Sequence, residues 1–175
     1  TSGEYLLEGS NVAGIKSNQL ADVRNLKIGF VFQGFNLLKR MTAMDNVAMP
    51  LLYAGESRTN SRKRAMELLD RIGLGDFGMH QPNQLSGGQQ QRVAICRSLI
   101  NQPPLILADE PTGNLDTENS SIIMRLFEQL NREQGITIVL VTHEDDVAAY
   151  TNRLIQLKDG RVIHDKSQNP VRNIG

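Results

Sequence analysis

Three short apolar runs constrain the fold of this chain more than any other feature: Ile28–Phe32, residues 105–108 and Thr137–Val141. Each is β-prone and nearly continuous in apolar character, the pattern of a strand covered on both faces. Each also ends in polar chemistry. Gln33 follows the first, Asp109-Glu110 the second, and His143 stands just beyond the third. Between the second and third runs lies a helix pattern over Thr117–Gln134, stopped by Gly135. Strands alternating with helices imply a parallel α/β sheet. In such sheets ligands bind at the carboxyl ends of the strands, where these polar residues sit.

Residues 34–100 have a different, helical texture. Thr42 with Asp45 three residues on reads as a helix start, and Pro50 as a kink or end. Residues 62–72 place Ala65, Leu68, Leu69 and Ile72 on one face, with Gly73 as the stop. A long helix is predicted over residues 88–100, ended by Pro103-Pro104. This stretch reads as a helical insertion in the sheet. Elsewhere a short strand is predicted at 5–7, a short helix or turn at 18–26, and a short helix at 145–150. Strands at 154–157 and 161–164 flank the hairpin signal Lys158-Asp159-Gly160. The expected organisation is a core remnant over 1–33, a helical subdomain over 34–100, returning core over 101–165, and a loose polar tail over 166–175.

Length and composition narrow the function. The 175 residues suit one domain, and a formal net charge of zero gives no bulk attraction to nucleic acid or an anionic membrane. No apolar stretch approaches the roughly 20 residues of a spanning helix. The lone Cys96 excludes an internal disulfide and fits a reducing compartment.

At the end of residues 105–108, two adjacent carboxylates are costly unless solvated, paired or metal-bound. Asp109 suits a magnesium ligand, and Glu110 suits a base acting on water. The competing reading is an acidic helix cap beyond a core strand. His143, on a parallel neighbour, should reach the same edge and hydrogen-bond a phosphate or the water. Gln33 offers a neutral carbonyl to magnesium. Leu85-Ser86-Gly87-Gly88-Gln89 opens a helix. Free N–H groups at a helix start favour an anion, and glycines allow close approach. The competing reading is a loop followed by a capped helix.

Leu85-Ser86-Gly87-Gly88-Gln89 resembles the signature of ABC-type ATPases. Gln33 resembles the Q-loop, residues 105–110 the Walker B strand with its catalytic glutamate, Asn114-Leu115-Asp116 the D-loop, and His143 the switch histidine. The order matches, and the likeness runs to about residue 165. The finer likeness is to the lipoprotein-releasing and macrolide-export branch, carried by Ile28-Gly29-Phe30-Val31-Phe32-Gln33 and Ala108-Asp109-Glu110-Pro111-Thr112-Gly113-Asn114-Leu115-Asp116.

The resemblance implies a P-loop NTPase-like parallel sheet with an inserted helical subdomain. It also implies ATP and magnesium as ligands, Glu110 and His143 as catalytic residues, and Asp109 and Gln33 at the metal. Ser86, Gly87, Gly88 and Gln89 would bind nucleotide in trans, and Asp116 would communicate between subunits. The implied partners are a second nucleotide-binding domain, head to tail, and an integral-membrane permease met by residues 33–53. The implied location is peripheral, at the cytoplasmic face of the inner or plasma membrane, with export or release as the task. Two rivals are a soluble non-transport ABC protein and a non-catalytic fragment offering only its signature.

The family's phosphate-gripping G-x-x-x-x-G-K-[ST] loop has one near-miss here, Gly9 and Gly14 followed by Ile15-Lys16-Ser17, with Lys16 out of register and no long apolar helix expected after Ser17. Ser2-Gly3-Glu4-Tyr5 resembles the stretch downstream of that loop, and the chain starts on Thr1 rather than Met. The expectation is an N-terminally truncated domain whose fragment alone is inactive.

Overall fold

The computed structural model describes residues 3–170. It opens on a small antiparallel hairpin, β1 (Leu6–Leu7) and β2 (Ser10–Asn11). The return strand is too short and polar to show in the sequence, and Glu8 and Gly9 turn it through positive φ. Helix α1 (Ser17–Lys27) settles the helix-or-turn alternative as a helix. A helix therefore does follow Ser17, but it is polar and largely exposed. Lys16 precedes it in extended conformation, and Gly9 belongs to the hairpin turn.

Strand β3 (Ile28–Phe32) follows directly. Helix α2 (Ala43–Tyr53) starts at Thr42, whose hydroxyl accepts from the Asp45 N–H at 3.1 Å. Of the kink or end expected at Pro50, the end does not occur, and the helix runs three residues beyond it. Packing outweighs the lost hydrogen bond: Val47, Ala48 and Leu51 are buried in one cluster with Ala65, Leu69 and Val93. Helix α3 (Arg58–Arg71) begins four residues ahead of the expected start at 62, because Ser57 caps it. Two 3₁₀ turns, Gly75–Phe77 and Pro82–Gln84, lead to α4 (Gly87–Leu99).

Strand β4 (Leu105–Asp109), helix α5 (Thr117–Gln134) and strand β5 (Thr137–Val141) form the expected alternation. Gly135 ends α5 in the left-handed region. Strands β3, β4 and β5 are parallel neighbours in that order, with Phe32, Asp109 and Val141 in register. One face of this sheet packs against α4 and α5 through Val31, Ile95, Ile106, Ile123 and Phe127. Gly29 makes that possible, since a Cβ there would stand 2.7 Å from the Ser98 carbonyl oxygen on α4. The expected full burial of β5 does not hold. It is an edge strand, and Val139 and Val141 are 48% and 58% exposed on the uncovered face.

A short α6 (Asp145–Ala148) ends two residues before its expected limit. The hairpin of β6 (Arg153–Lys158) and β7 (Arg161–Ser167) turns at Asp159-Gly160, both at positive φ. Strand β7 extends past His164, so Lys166 and Ser167 are paired strand rather than the start of a loose tail. The pairing Arg153–Asp165 and the hydrogen bonds of Gln168 to Ala148 and Thr151 hold this end. The rest of the expected tail, residues 171–175, and Thr1-Ser2 at the other end lie outside the described residues.

Candidate active site

Parallel register carries three chain segments to one edge. Because Phe32, Asp109 and Val141 align, the residues after them, Gln33, Glu110 and Thr142, emerge side by side. Glu110 is the centre of the arrangement. Its φ of 45° is uncommon for a residue with a Cβ, and such strain costs on the order of 1–3 kcal/mol. Two backbone bonds hold it: its N–H donates to the Val141 carbonyl at 2.9 Å, and its carbonyl accepts from Gly113 at 3.2 Å.

The Glu110 carboxylate faces β5. Oε1 lies 2.6 Å from His143 Nδ1 and accepts from the His143 backbone N–H at 3.1 Å. Oε2 accepts from the Thr142 hydroxyl at 3.3 Å. The hydrogen bond and then the charge of Glu110 raise the His143 pKa above its ordinary 6.5. The imidazole is 80% exposed while Glu110 is only 19% exposed, so the acid is sheltered and its partner is free to swing outward.

Asp109 is exposed at the tip of β4, with no ion pair or side-chain hydrogen bond among the described residues. Gln33 turns its Nε2 toward Asn114 Oδ1 at 3.4 Å, while Asn114 Nδ2 donates to the Gln33 carbonyl at 3.0 Å. The Gln33 side-chain oxygen has no hydrogen bond among the described residues. No group of three or more His, Cys, Asp or Glu is placed to hold a metal among the described residues. One free carboxylate and one amide oxygen do fit magnesium, which is bound through one or two carboxylates, water and substrate phosphates.

The start of α4 is organised by a reciprocal capping box. Ser86 Oγ accepts from the Gln89 N–H at 3.2 Å, and Gln89 Oε1 accepts from the Ser86 N–H at 2.8 Å. The amides of Gly87 and Gly88 lie in the first turn with no partner among the described residues. The capped-helix and anion-site readings are thus compatible. The two glycines differ: a Cβ at Gly87 would make ordinary contacts, whereas one at Gly88 would collide with the Asn119 side chain on α5. Asn119 also holds Asp116, the N-cap of α5, through its N–H at 2.8 Å and Nδ2 at 2.7 Å, which keeps the Asp116 carboxyl below its usual range.

The structure therefore joins Glu110 to His143, Gln33 to Asn114, and Gly88 to Asn119 and Asp116. No bond among the described residues ties Ser86, Gly87, Gly88 or Gln89 to Glu110. Sequence reasoning missed two supports on α4. Gln91, fully buried, donates to the Pro111 carbonyl just beyond Glu110. Its spacing to Ala94, Ile95 and Ser98, at i+3, i+4 and i+7, marks the buried face and was the available signal. Arg97 donates to the carbonyls of Phe35, at 3.0 Å, and Asn36, both at positive φ just beyond Gln33. Cys96 is no nucleophile, since burial pushes its thiol up to about 12.

The ABC transporter family model matches residues 1–113. A macrolide export ATP-binding/permease protein MacB of Syntrophobacter fumaroxidans is 55% identical over 162 residues, covering 91% of this chain and 23% of that protein. This chain thus spans about a quarter of the length of the MacB relatives it matches. YknY of Bacillus subtilis, an uncharacterized ABC transporter ATP-binding protein, is 52% identical over 163 residues, covering 93% of this chain and 70% of its own length. The dimeric structure of a post-hydrolysis state of the ATP-binding cassette MJ0796, bound to ADP and Pi, superposes with a TM-score of 0.84 at 46% identity, covering 95% of this chain and 74% of that one.

Proposed function

The chain belongs to the ABC transporter family, as an ATP-binding component, and from that premise we propose that its sheet edge is one half of an ATP-hydrolysing site. One observation carries this reading: Glu110, strained and sheltered, stands beside the free Asp109 and is held by His143 at the carboxyl ends of adjacent parallel strands.

In this reading Asp109, assisted by the Gln33 side-chain oxygen, would hold magnesium, which when bound would supply positive charge against the phosphate oxygens. Glu110 orients the attacking water and accepts its proton. His143 occupies Glu110 Oε1 in the present arrangement, so the imidazole must swing away before that oxygen reaches water. Once released, it can donate to the terminal phosphate. The unpaired amides of Gly87 and Gly88, with the Ser86 hydroxyl, grip the phosphates of ATP held by a second nucleotide-binding domain that carries a phosphate loop, head to tail. The Gln33–Asn114 and Gly88–Asn119–Asp116 contacts connect the two halves within one chain.

The similarity to macrolide export ATP-binding/permease proteins supports an export role, and the rest of the wider activity rests on the motif resemblance. We propose a peripheral subunit at the cytoplasmic face of a membrane, driving export or release of a lipoprotein, peptide or drug-like substrate through an integral-membrane partner. Among the described residues no helix is long and apolar enough to cross a membrane. A second reading has its own support: the 175 residues contain no G-x-x-x-x-G-K-[ST] stretch, so alone they offer a signature and a base but no phosphate loop, and we expect no hydrolysis by them alone.

Joining residues 3–170 to the phosphate-loop segment of the MJ0796 cassette tests both. The chimera should hydrolyse ATP. Ser86→Arg in one chimera and loss of the loop lysine in another should each abolish turnover, and mixing the two should restore part of it. Failure of the mixture to recover would refute the trans role of the Ser86 segment.

A further inference from the structure

A second concavity lies away from the sheet edge. Helices α3, α4 and α5 line an open-sided cleft of about 600 Å³, within the size range of small-molecule sites. Its base is aliphatic, with Leu68, Ile72, Leu99, Leu126 and Leu130. Its walls carry Arg64, Arg71, Arg92 and Arg125 against one acid, Glu67. Four arginines and one glutamate give a formal +3 in a chain whose charges sum to zero.

Two of these arginines have internal tasks. Arg64 donates to the Ile100 carbonyl at the end of α4, at 3.1 Å, and Arg92 reaches the Ile72 carbonyl at the end of α3, at 3.5 Å. Cations suit both helix ends. Arg71 and Arg125 are exposed and have no ion pair or hydrogen bond among the described residues. Glu67, one turn before Arg71, is also unpaired among the described residues. Solvated arginines with stems lying on apolar surface account for the exposed heads. They do not account for an open aliphatic volume beneath two unspent guanidinium groups.

We propose that this cleft binds a small amphiphilic anion, an aliphatic chain ending in a phosphate or carboxylate, with Arg71 and Arg125 gripping the head and the leucine-lined base taking the chain. Guanidinium groups match such heads through paired charge-assisted hydrogen bonds. The site shares no residue with the nucleotide edge, so it stands or falls separately from the ATPase reading.

Titration calorimetry of the 175-residue chain with dodecyl phosphate and dodecanoate, both below micelle formation, tests the proposal. At least one should bind. Arg71→Gln with Arg125→Gln should weaken it by about 10- to 100-fold, and Glu67→Gln should tighten it. Inorganic phosphate and dodecyl maltoside, head and chain alone, should each bind at least about tenfold more weakly. All three side chains are exposed, so the variants should fold. Binding by neither amphiphile, equal binding by dodecyl maltoside, unchanged affinity in the double variant, or binding only to phosphatidylglycerol vesicles would each overturn it.

Discussion

At the scale of single residues, the contact between Glu110 and His143 makes a measurable demand. A carboxylate hydrogen-bonded to the imidazole raises its pKa. A raised folded-state pKa means the contact contributes to stability below about pH 6.5, where the unfolded imidazole is also charged. The contribution is lost as pH rises through the folded value. Nuclear magnetic resonance titration of the His143 ring should find it above 6.5, and Glu110→Gln should return it toward that value. An unmoved pKa in the variant would mean that the two groups do not share the proton. The glycine pair gives a second residue-level contrast. Gly88→Ala should destabilise by about 1–3 kcal/mol through collision with Asn119, and Asn119→Ala should recover much of that loss. Gly87→Ala should cost little, because its Cβ meets only ordinary contacts. Equal costs at both positions in urea unfolding would remove the steric account of Gly88.

At the scale of elements, the helical module depends on how α2 and α3 are joined. Arg62 clamps Asp45 through Nε at 2.7 Å and Nη2 at 2.9 Å, and Thr42 adds a hydroxyl. These hold the Asp45 carboxyl below its usual range, Arg62 first. A depressed folded pKa stabilises above the unfolded value of about 3.8 and is lost as pH falls through the folded one. Asp45→Asn should therefore cost roughly 1 kcal/mol at neutral pH. Its difference from the parent chain should shrink in acid, and a pH-independent difference would argue against the ion pair. Local signals of this kind were legible. The Thr42 cap, the Gly135 stop, the Asp159-Gly160 turn and the three strands all follow from nearby residues. What escaped depended on distant packing. Pro50 stays helical because α2 is buried against α3 and α4. The two-residue β2 carries no periodicity, β5 is half exposed because one face of its sheet is uncovered, and β7 runs longer because it pairs with β6 as far as Ser167.

At the scale of the whole molecule, the sequence put Glu110 and His143 at the same sheet edge, since parallel neighbours end there, but it did not foretell the hydrogen bond between them. The strain at Glu110, the Gln91 tie to Pro111, the Arg97 clamp beyond Gln33 and the collision point at Gly88 were not legible. The first depends on the pairing of Glu110 with Val141, and the last three join segments 20 or more residues apart that come together only when α4 lies across the sheet. That placement depends on Gly29, where β3 and α4 nearly touch. Helix α4 is thus the common member of the arrangement, with the Ser86 segment at its start, Gln91 behind the acid and Arg97 behind Gln33. The most direct test of the site is a paired measurement on the chimera with the MJ0796 loop, following ATP turnover and magnesium-dependent nucleotide binding together. Glu110→Gln should slow turnover by about 10²–10⁴-fold with binding kept, whereas Asp109→Ala should lose magnesium-dependent binding itself. Equal loss of binding in both variants, or turnover undiminished by Glu110→Gln, would contradict the assignment of Glu110 as the base and Asp109 as the metal ligand.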